Sequence, residues 1–232
     1  MSTSRDRVRQ ALSHQGSDRI PVDFGATAVT GIHCRVVEAL RKHYGLSYKP
    51  VKIVDTFQML GEVDRDLADA MGVDCIGVGG TRDIFDHDTE CMHEQVTPWG
   101  QKVLVPIQLD LTQDKEGDVY VYAGGDKNYP PSAVMPNGCF FINAIERQQP
   151  INEDKLNPMD NLEEFNSITD EELDAYKKKV NEASATGRAV VASFGGTALG
   201  DVAFVPGMGL KEPKGIRSVV EWYCLLYTSP SP

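Results

Sequence analysis

Six side chains of the kinds that hold metal ions fall within eight positions of this 232-residue chain: Asp86, His87, Asp88, Glu90, Cys91 and His93. Carboxylate, imidazole and thiolate all bind zinc and its neighbours, but they must be spaced to converge, as in two histidines one helical turn apart or a CxxC pair. Neither spacing occurs here, so the stretch reads as a solvated acidic loop and no metal site is expected. Asp23, His33 and Cys34 form a second group. Asp23 can contact a substrate or close a turn, and His33 can move protons or be held by backbone at a helix start. Farther along, Gly195, Gly196 and Thr197 would let a substrate or cofactor approach the backbone closely. Asp201 is either a carboxylate on the same loop or the cap of a following helix. The glycine spacing differs from the GxGxxG of dinucleotide sites.

The elements that would position these residues alternate between helix and strand. Ser4 is expected to cap a helix in which Val8, Ala11 and Leu12 share one face, and residues 20–24 read as a first strand broken by Gly25. Val36, Val37, Leu40 and Tyr44 mark the next helix face. Asp55 is expected to cap another helix, in which Phe57, Leu60, Val63, Leu67 and Met71 recur at helical spacing until Gly72 closes it. Residues 73–78 form the second strand. Between 99 and 122 the pattern turns to alternation (Val103 and Val105, Leu109 and Leu111, Val119 and Val121), which predicts a β-hairpin with DKEGD as its turn. A short aromatic strand is expected over 139–142. A capping box from Thr169 to Glu172 opens a helix with Leu173, Tyr176, Val180 and Ala183 inward, and it delivers the chain to a third core strand over 189–194. Gly215, Ile216, Val219, Val220 and Trp222 fit a final helix. The alternation predicts an α/β protein, either a TIM barrel or a doubly wound sheet.

Composition sets the class. With 41% hydrophobic and 25% charged residues, the chain has the make-up of a globular protein. A net charge of -11 argues against a nucleic-acid surface and against a polybasic membrane anchor. The polar N-terminus and the lack of an apolar run near about 18 residues predict a cytoplasmic location. Five cysteines, odd in number and without a CxxC pair, suit reduced thiols.

The segments RDRVRQALSHQ, DRIPVDFG, TGIH, VDTFQMLGEVD, MGVDCIGVG, MPNGCFF, FGGTALGD and PKGIRSVVEWY, in this order, resemble the uroporphyrinogen decarboxylase-like superfamily over residues 5–223. Within it, the resemblance is to the corrinoid-linked methyltransferase branch more than to the haem-pathway decarboxylases. It implies a partial TIM barrel with about three of the eight strands, an inserted hairpin at about 97–145, and sites on loops after the carboxyl ends of strands. It also implies zinc and a corrinoid as cofactors, with zinc ligands beyond Tyr223, and a corrinoid protein or free corrinoid and a small molecule as partners. True decarboxylases carry an arginine pair after the first strand, whereas residues 25–32 hold no arginine or lysine. The weight therefore falls on methyl transfer to a thiol or from a small methylated substrate. The alternatives are uroporphyrinogen decarboxylation, or a non-catalytic corrinoid- or tetrapyrrole-binding protein or inactive fragment. Residues 224–232 resemble translated adapter read-through and are expected to be a non-native tail on a truncated protein.

Overall fold

The computed structural model describes residues 2–155, 157–165, 167–193 and 202–228. Its helices are α1 (Ser4–Leu12), α2 (Cys34–His43), α3 (Arg65–Met71), α4 (Asp170–Ser184) and α5 (Val219–Thr228). Its strands are β1 (Ile32–His33), β2 (Val51–Asp55), β3 (Leu60–Gly61), β4 (Cys75–Val78), β5 (Met92–Val96), β6 (Lys102–Pro106), β7 (Val119–Val121), β8 (Ala133–Met135), β9 (Asn143–Ala144) and β10 (Ala189–Ala192). The architecture is mixed α/β with several sheets, and among the described residues none closes into a barrel. Among them, too, no helix is long and apolar enough to cross a membrane. The chain divides into two compact units, one of residues 1–81, 93–105 and 168–195 and the other of 82–92, 106–167 and 196–232.

In the first unit, β4 and β10 pair in parallel with Cys75 opposite Ala189 and Val78 opposite Ala192, and α4 and α1 lie against both strands. The Thr169 hydroxyl accepts from Glu172 N–H while the Glu172 carboxylate accepts from Thr169 N–H, so the expected capping box starts α4. Ala183 is buried on α4, but Leu173 is exposed. A second sheet runs in the order β1-β3-β2-β6-β5, with β2 and β6 parallel and β3 antiparallel to both β1 and β2. Its core comprises Val37, Val51, Ile53, Leu60, Val103 and Val105.

Three expectations for this unit need correction. Helix α1 is capped by Thr3, one residue before Ser4, in a capping box with Asp6. Residues 20–24 are not a strand: Pro21 has no N–H, and the Val22 N–H goes to the Asp74 carboxylate at 2.9 Å instead of to a ladder carbonyl. Asp55 ends strand β2 instead of capping a helix. Its carboxylate accepts from Gln58 N–H at 2.7 Å, turning the chain into β3, and helix α3 begins only after its own cap, Asp64. Gly61 lets β3 pack this closely, since a Cβ there would lie 2.5 Å from a Val51 methyl and 3.1 Å from the Cys34 Cα. Gly72 does close α3 in the left-handed conformation, at φ 67°.

In the second unit, β7, β8 and β9 form an antiparallel sheet over a core that includes Phe85, Leu109, Met135, Ile142 and Met208. Here the predicted hairpin is corrected. DKEGD is a turn, with Asp114 N–H donating to Asp118 O at 2.8 Å, but residues 109–111 before it form no strand and β7 pairs with β8. β6 instead neighbours β5 across a turn closed by Thr97 N–H to Gln101 O at 2.9 Å, so 97–145 is not one inserted hairpin. Residues 139–142 also form no strand; the short β9 follows them. The last helix starts at Val219 rather than Gly215. Both hydrogen-bonding groups of the Asn161 amide bind Ile216, through its N–H at 3.0 Å and its carbonyl at 2.7 Å, and they hold this segment out of a helix.

Asp74, just ahead of β4, has a side chain with no exposure. Its carboxylate takes Arg7 at 3.0 Å, Arg19 at 2.6 Å and the Val22 N–H. Burial acts to raise its pKa, but hydrogen bonds from Val22, Ser4, Arg19 and Arg7 outweigh burial and the net shift is downward. The stability that Asp74 contributes is therefore complete above the ordinary aspartate range and lost as pH falls from there through the depressed folded value. Asp74→Ala leaves Arg7 with Asp18 and Arg19 with solvent but orphans the Val22 N–H, and is expected to cost about 1–3 kcal/mol at pH 7 in urea unfolding. Asp174→Ala, at an exposed ion pair, should cost under about 1 kcal/mol. The gap between wild type and Asp74→Ala should narrow below about pH 4; a gap independent of pH would contradict this role.

Candidate active site

Ligands of parallel sheets gather beyond the carboxyl ends of strands, where loops rather than ladder bonds occupy the backbone. In the first unit this end belongs to β4 and β10. Ser193 N–H donates to Val78 O at 2.8 Å, and past that bond β4 runs out into Gly79 and Gly80. Helix α4 reaches the same end twice: Tyr176 OH donates to Ser193 O at 3.3 Å and the Lys179 ammonium to Gly80 O at 3.1 Å.

The loop over residues 23–31 lies on β4. Its Ala26 carbonyl packs so closely on Gly77 that a Cβ there would sit 2.0 Å from the oxygen, which restricts the position to glycine. Asp23 organises the loop: one carboxylate oxygen accepts from Ala26 N–H at 3.2 Å, the other from the Thr30 hydroxyl at 3.2 Å, and Gly25 N–H closes onto Thr30 O at 2.8 Å. The carboxylate thus works as a turn former, one of the two roles open to it in the sequence. Its charge, after burial, helps push the Cys75 thiol pKa upward. Burial pushes the Cys34 thiol up to about 12. In both, burial disfavours the thiolate, the form that acts as a nucleophile.

His33 caps α2, its Nδ1 accepting from Arg35 N–H at 3.3 Å, and its ring lies 5.6 Å from that of Trp99. Trp99 Nε1–H donates to Gln101, whose amide donates to Cys34 O at 3.0 Å. This locally satisfied role is the second that the sequence left open for His33. Gly195, Gly196, Thr197 and Asp201 lie outside the described residues.

The acidic stretch from Asp86 to His93 disperses. Asp86 pairs with Arg82 at 2.9 Å, Asp88 accepts from Glu90 N–H at 2.8 Å, and His93 Nε2 meets the Gln95 amide at 2.9 Å. Among the described residues no three histidine, cysteine or acidic side chains converge as a metal site. His87 is instead fully buried in the second unit, stacked on Phe85. Its Nε2 lies 3.0 Å from Tyr122 O and must donate, because a carbonyl only accepts. Its Nδ1 lies 3.3 Å from the Asp83 carboxylate as a close contact without hydrogen-bond geometry. Asp83 also accepts from Phe85 and His87 N–H, each at 2.9 Å, so one aspartate closes the loop around its own histidine. The sequence signal was available as an aspartate four residues before a histidine, a spacing that an Asx-type turn can close.

No family model, curated protein or solved structure matches this chain.

Asp23→Ala removes both loop acceptors and is expected to lower stability by about 1–2 kcal/mol and to free the Ala26 amide for hydrogen exchange. Asp23→Asn keeps one carbonyl acceptor and should lose less. Unchanged Ala26 exchange in Asp23→Ala would remove the loop-forming role. His87→Ala opens a cavity and leaves Tyr122 O with the Gly125 N–H as its remaining donor, with an expected cost of about 2–4 kcal/mol by urea unfolding. A loss below about 0.5 kcal/mol would contradict the buried donor role.

Proposed function

We propose that this chain is part of a uroporphyrinogen decarboxylase-like enzyme of the corrinoid-linked branch, which transfers a methyl group to a thiol or from a small methylated substrate. The fold proposed with it is a partial (β/α)8 barrel, with β4 and β10 as neighbouring parallel strands, α4 leading into β10, and residues 20–24 lying beside the start of β4 through Val22. The ordered series of motifs from residue 5 to 223 supports the reading. The observation that carries it is the loop over 23–31, which lies on the parallel pair and is closed by its own hydrogen bonds.

Between residues 25 and 32 that loop offers no cation. A tetrapyrrole with many carboxylates demands guanidinium forks, and each carboxylate desolvated without one costs on the order of several kcal/mol. A methyl donor and a thiol acceptor make no such demand. The described residues do not fit zinc, since no three donors converge among them, so no step is assigned through a metal on this part of the chain. What these residues do is shape one wall of the barrel mouth. Asp23 fixes the loop, and Gly77 lets it seat against the strand.

The test is made on the full natural protein that carries this sequence. Zinc content, loss of the methylcobalamin absorbance with a panel of thiols, and decarboxylated porphyrins from uroporphyrinogen are measured on one preparation. Methylcobalamin turnover with bound zinc and unchanged uroporphyrinogen is the expected result. Turnover of uroporphyrinogen without metal would replace the reading with decarboxylation, and failure of both assays would leave a binding role.

A further inference from the structure

Arg147, in the second unit, is a half-buried arginine without an acidic partner among the described residues. Its Nη1 donates to Lys211 O at 3.2 Å and its Nη2 to Gly207 O at 2.7 Å, and its Nε is buried with no acceptor among the described residues. The neighbouring charge is another guanidinium. Arg217 Nη1 would lie 2.8 Å from a Cβ on Gly207, so the two cations flank the same glycine. Arg217 is already neutralised, by Glu164 at 2.7 Å and Glu163 at 3.3 Å. Burial, then the Arg217 charge, pushes the Arg147 pKa below its usual value.

Clamping two carbonyls does not require this charge. A neutral amide or indole donor would hold the same oxygens without placing a cation partly out of water beside a second one. A guanidinium also has more N–H groups than two carbonyls occupy, arranged in a fork that matches the oxygens of a carboxylate or phosphate. Gly207, at φ 61°, lets Arg217 and Glu164 pack against its backbone, since a Cβ there would lie 2.8 Å from Arg217 Nη1 and 3.2 Å from Glu164 Oε1.

We propose that Arg147 anchors an oxyanion site in the second unit, and that the group it takes is a carboxylate or phosphate of a small molecule. The site is independent of the methyl-transfer reading and uses neither corrinoid nor zinc.

The experiment follows thermal unfolding of the complete chain in inorganic phosphate, acetate and chloride at equal pH and ionic strength. Phosphate or acetate is expected to raise the melting temperature about 2–4 °C above chloride. A response to phosphate alone assigns a phosphoryl ligand, and one to acetate alone a carboxylate. Arg147→Gln should abolish the response, while Lys177→Gln, which removes an exposed cation of the first unit, should keep it. Should Arg147→Gln fail to fold, the wild-type arginine Nε–H resonances decide: a saturable shift of one of them with phosphate or acetate, absent with chloride, supports the site. Equal behaviour of the three anions in both measurements, or a response preserved in a folded Arg147→Gln, overturns it.

Discussion

A carboxylate with no exposure to water, Asp74, stands where helix α1, the segment at 20–24 and strands β4 and β10 come together. Its side chain binds a guanidinium from α1, a guanidinium from residue 19 and the Val22 N–H. Its backbone N–H donates to Val22 O at 2.7 Å, and its carbonyl accepts from Ala189 N–H at 2.9 Å. Charge-assisted bonds of this kind compensate the desolvation of a buried carboxylate only when its oxygens are fully used, as they are here. The parallel pair starts from this point. Through the pair, so does the placement of Gly77 under the loop that Asp23 closes.

Signals contained within one turn of chain were legible in the sequence. The Thr169–Glu172 capping box, the left-handed Gly72 and the DKEGD turn all rest on hydrogen bonds between residues a few positions apart, and each appears in the structure. Strand 73–78 is also present, over Cys75–Val78, and 189–194 appears in its described part as Ala189–Ala192. What failed depended on distant partners. Residues 20–24 have the composition of a strand, but a side chain 52 positions away takes the N–H that a ladder would need. Leu60, Leu67 and Met71 do repeat at helical spacing, yet the run is divided between strand and helix, and in the strand Gly61 packs closely on Val51 and Cys34. The alternation at 103–105 and 119–121 was correct for burial and wrong for pairing, because alternation fixes which face is inward and says nothing of which strand lies alongside.

The candidate site was legible in part for the same reason. For Asp23 and His33 the sequence held a chemical and a local structural role side by side, and the structural one is made by hydrogen bonds within a few residues. The acidic stretch reads in the sequence as a solvated loop. Its buried histidine was missed, because the Tyr122 carbonyl that receives His87 is 35 positions away. Arg147 carries no motif. Its distinction is the absence of a counter-charge among the described residues, a property visible only once Lys211, Gly207 and Arg217 are placed around it.

The central claim is that Asp74 makes the N-terminal segment and the parallel pair one cooperative element. Native-state hydrogen exchange at the Val22, Asp74 and Ala189 amides tests this most directly, since each of the three is a donor in the bonds around that residue. The account predicts that all three open with a common free energy, among the highest in the first unit. Exchange at Val22 orders of magnitude faster than at Ala189, with Asp74 following neither, would contradict it.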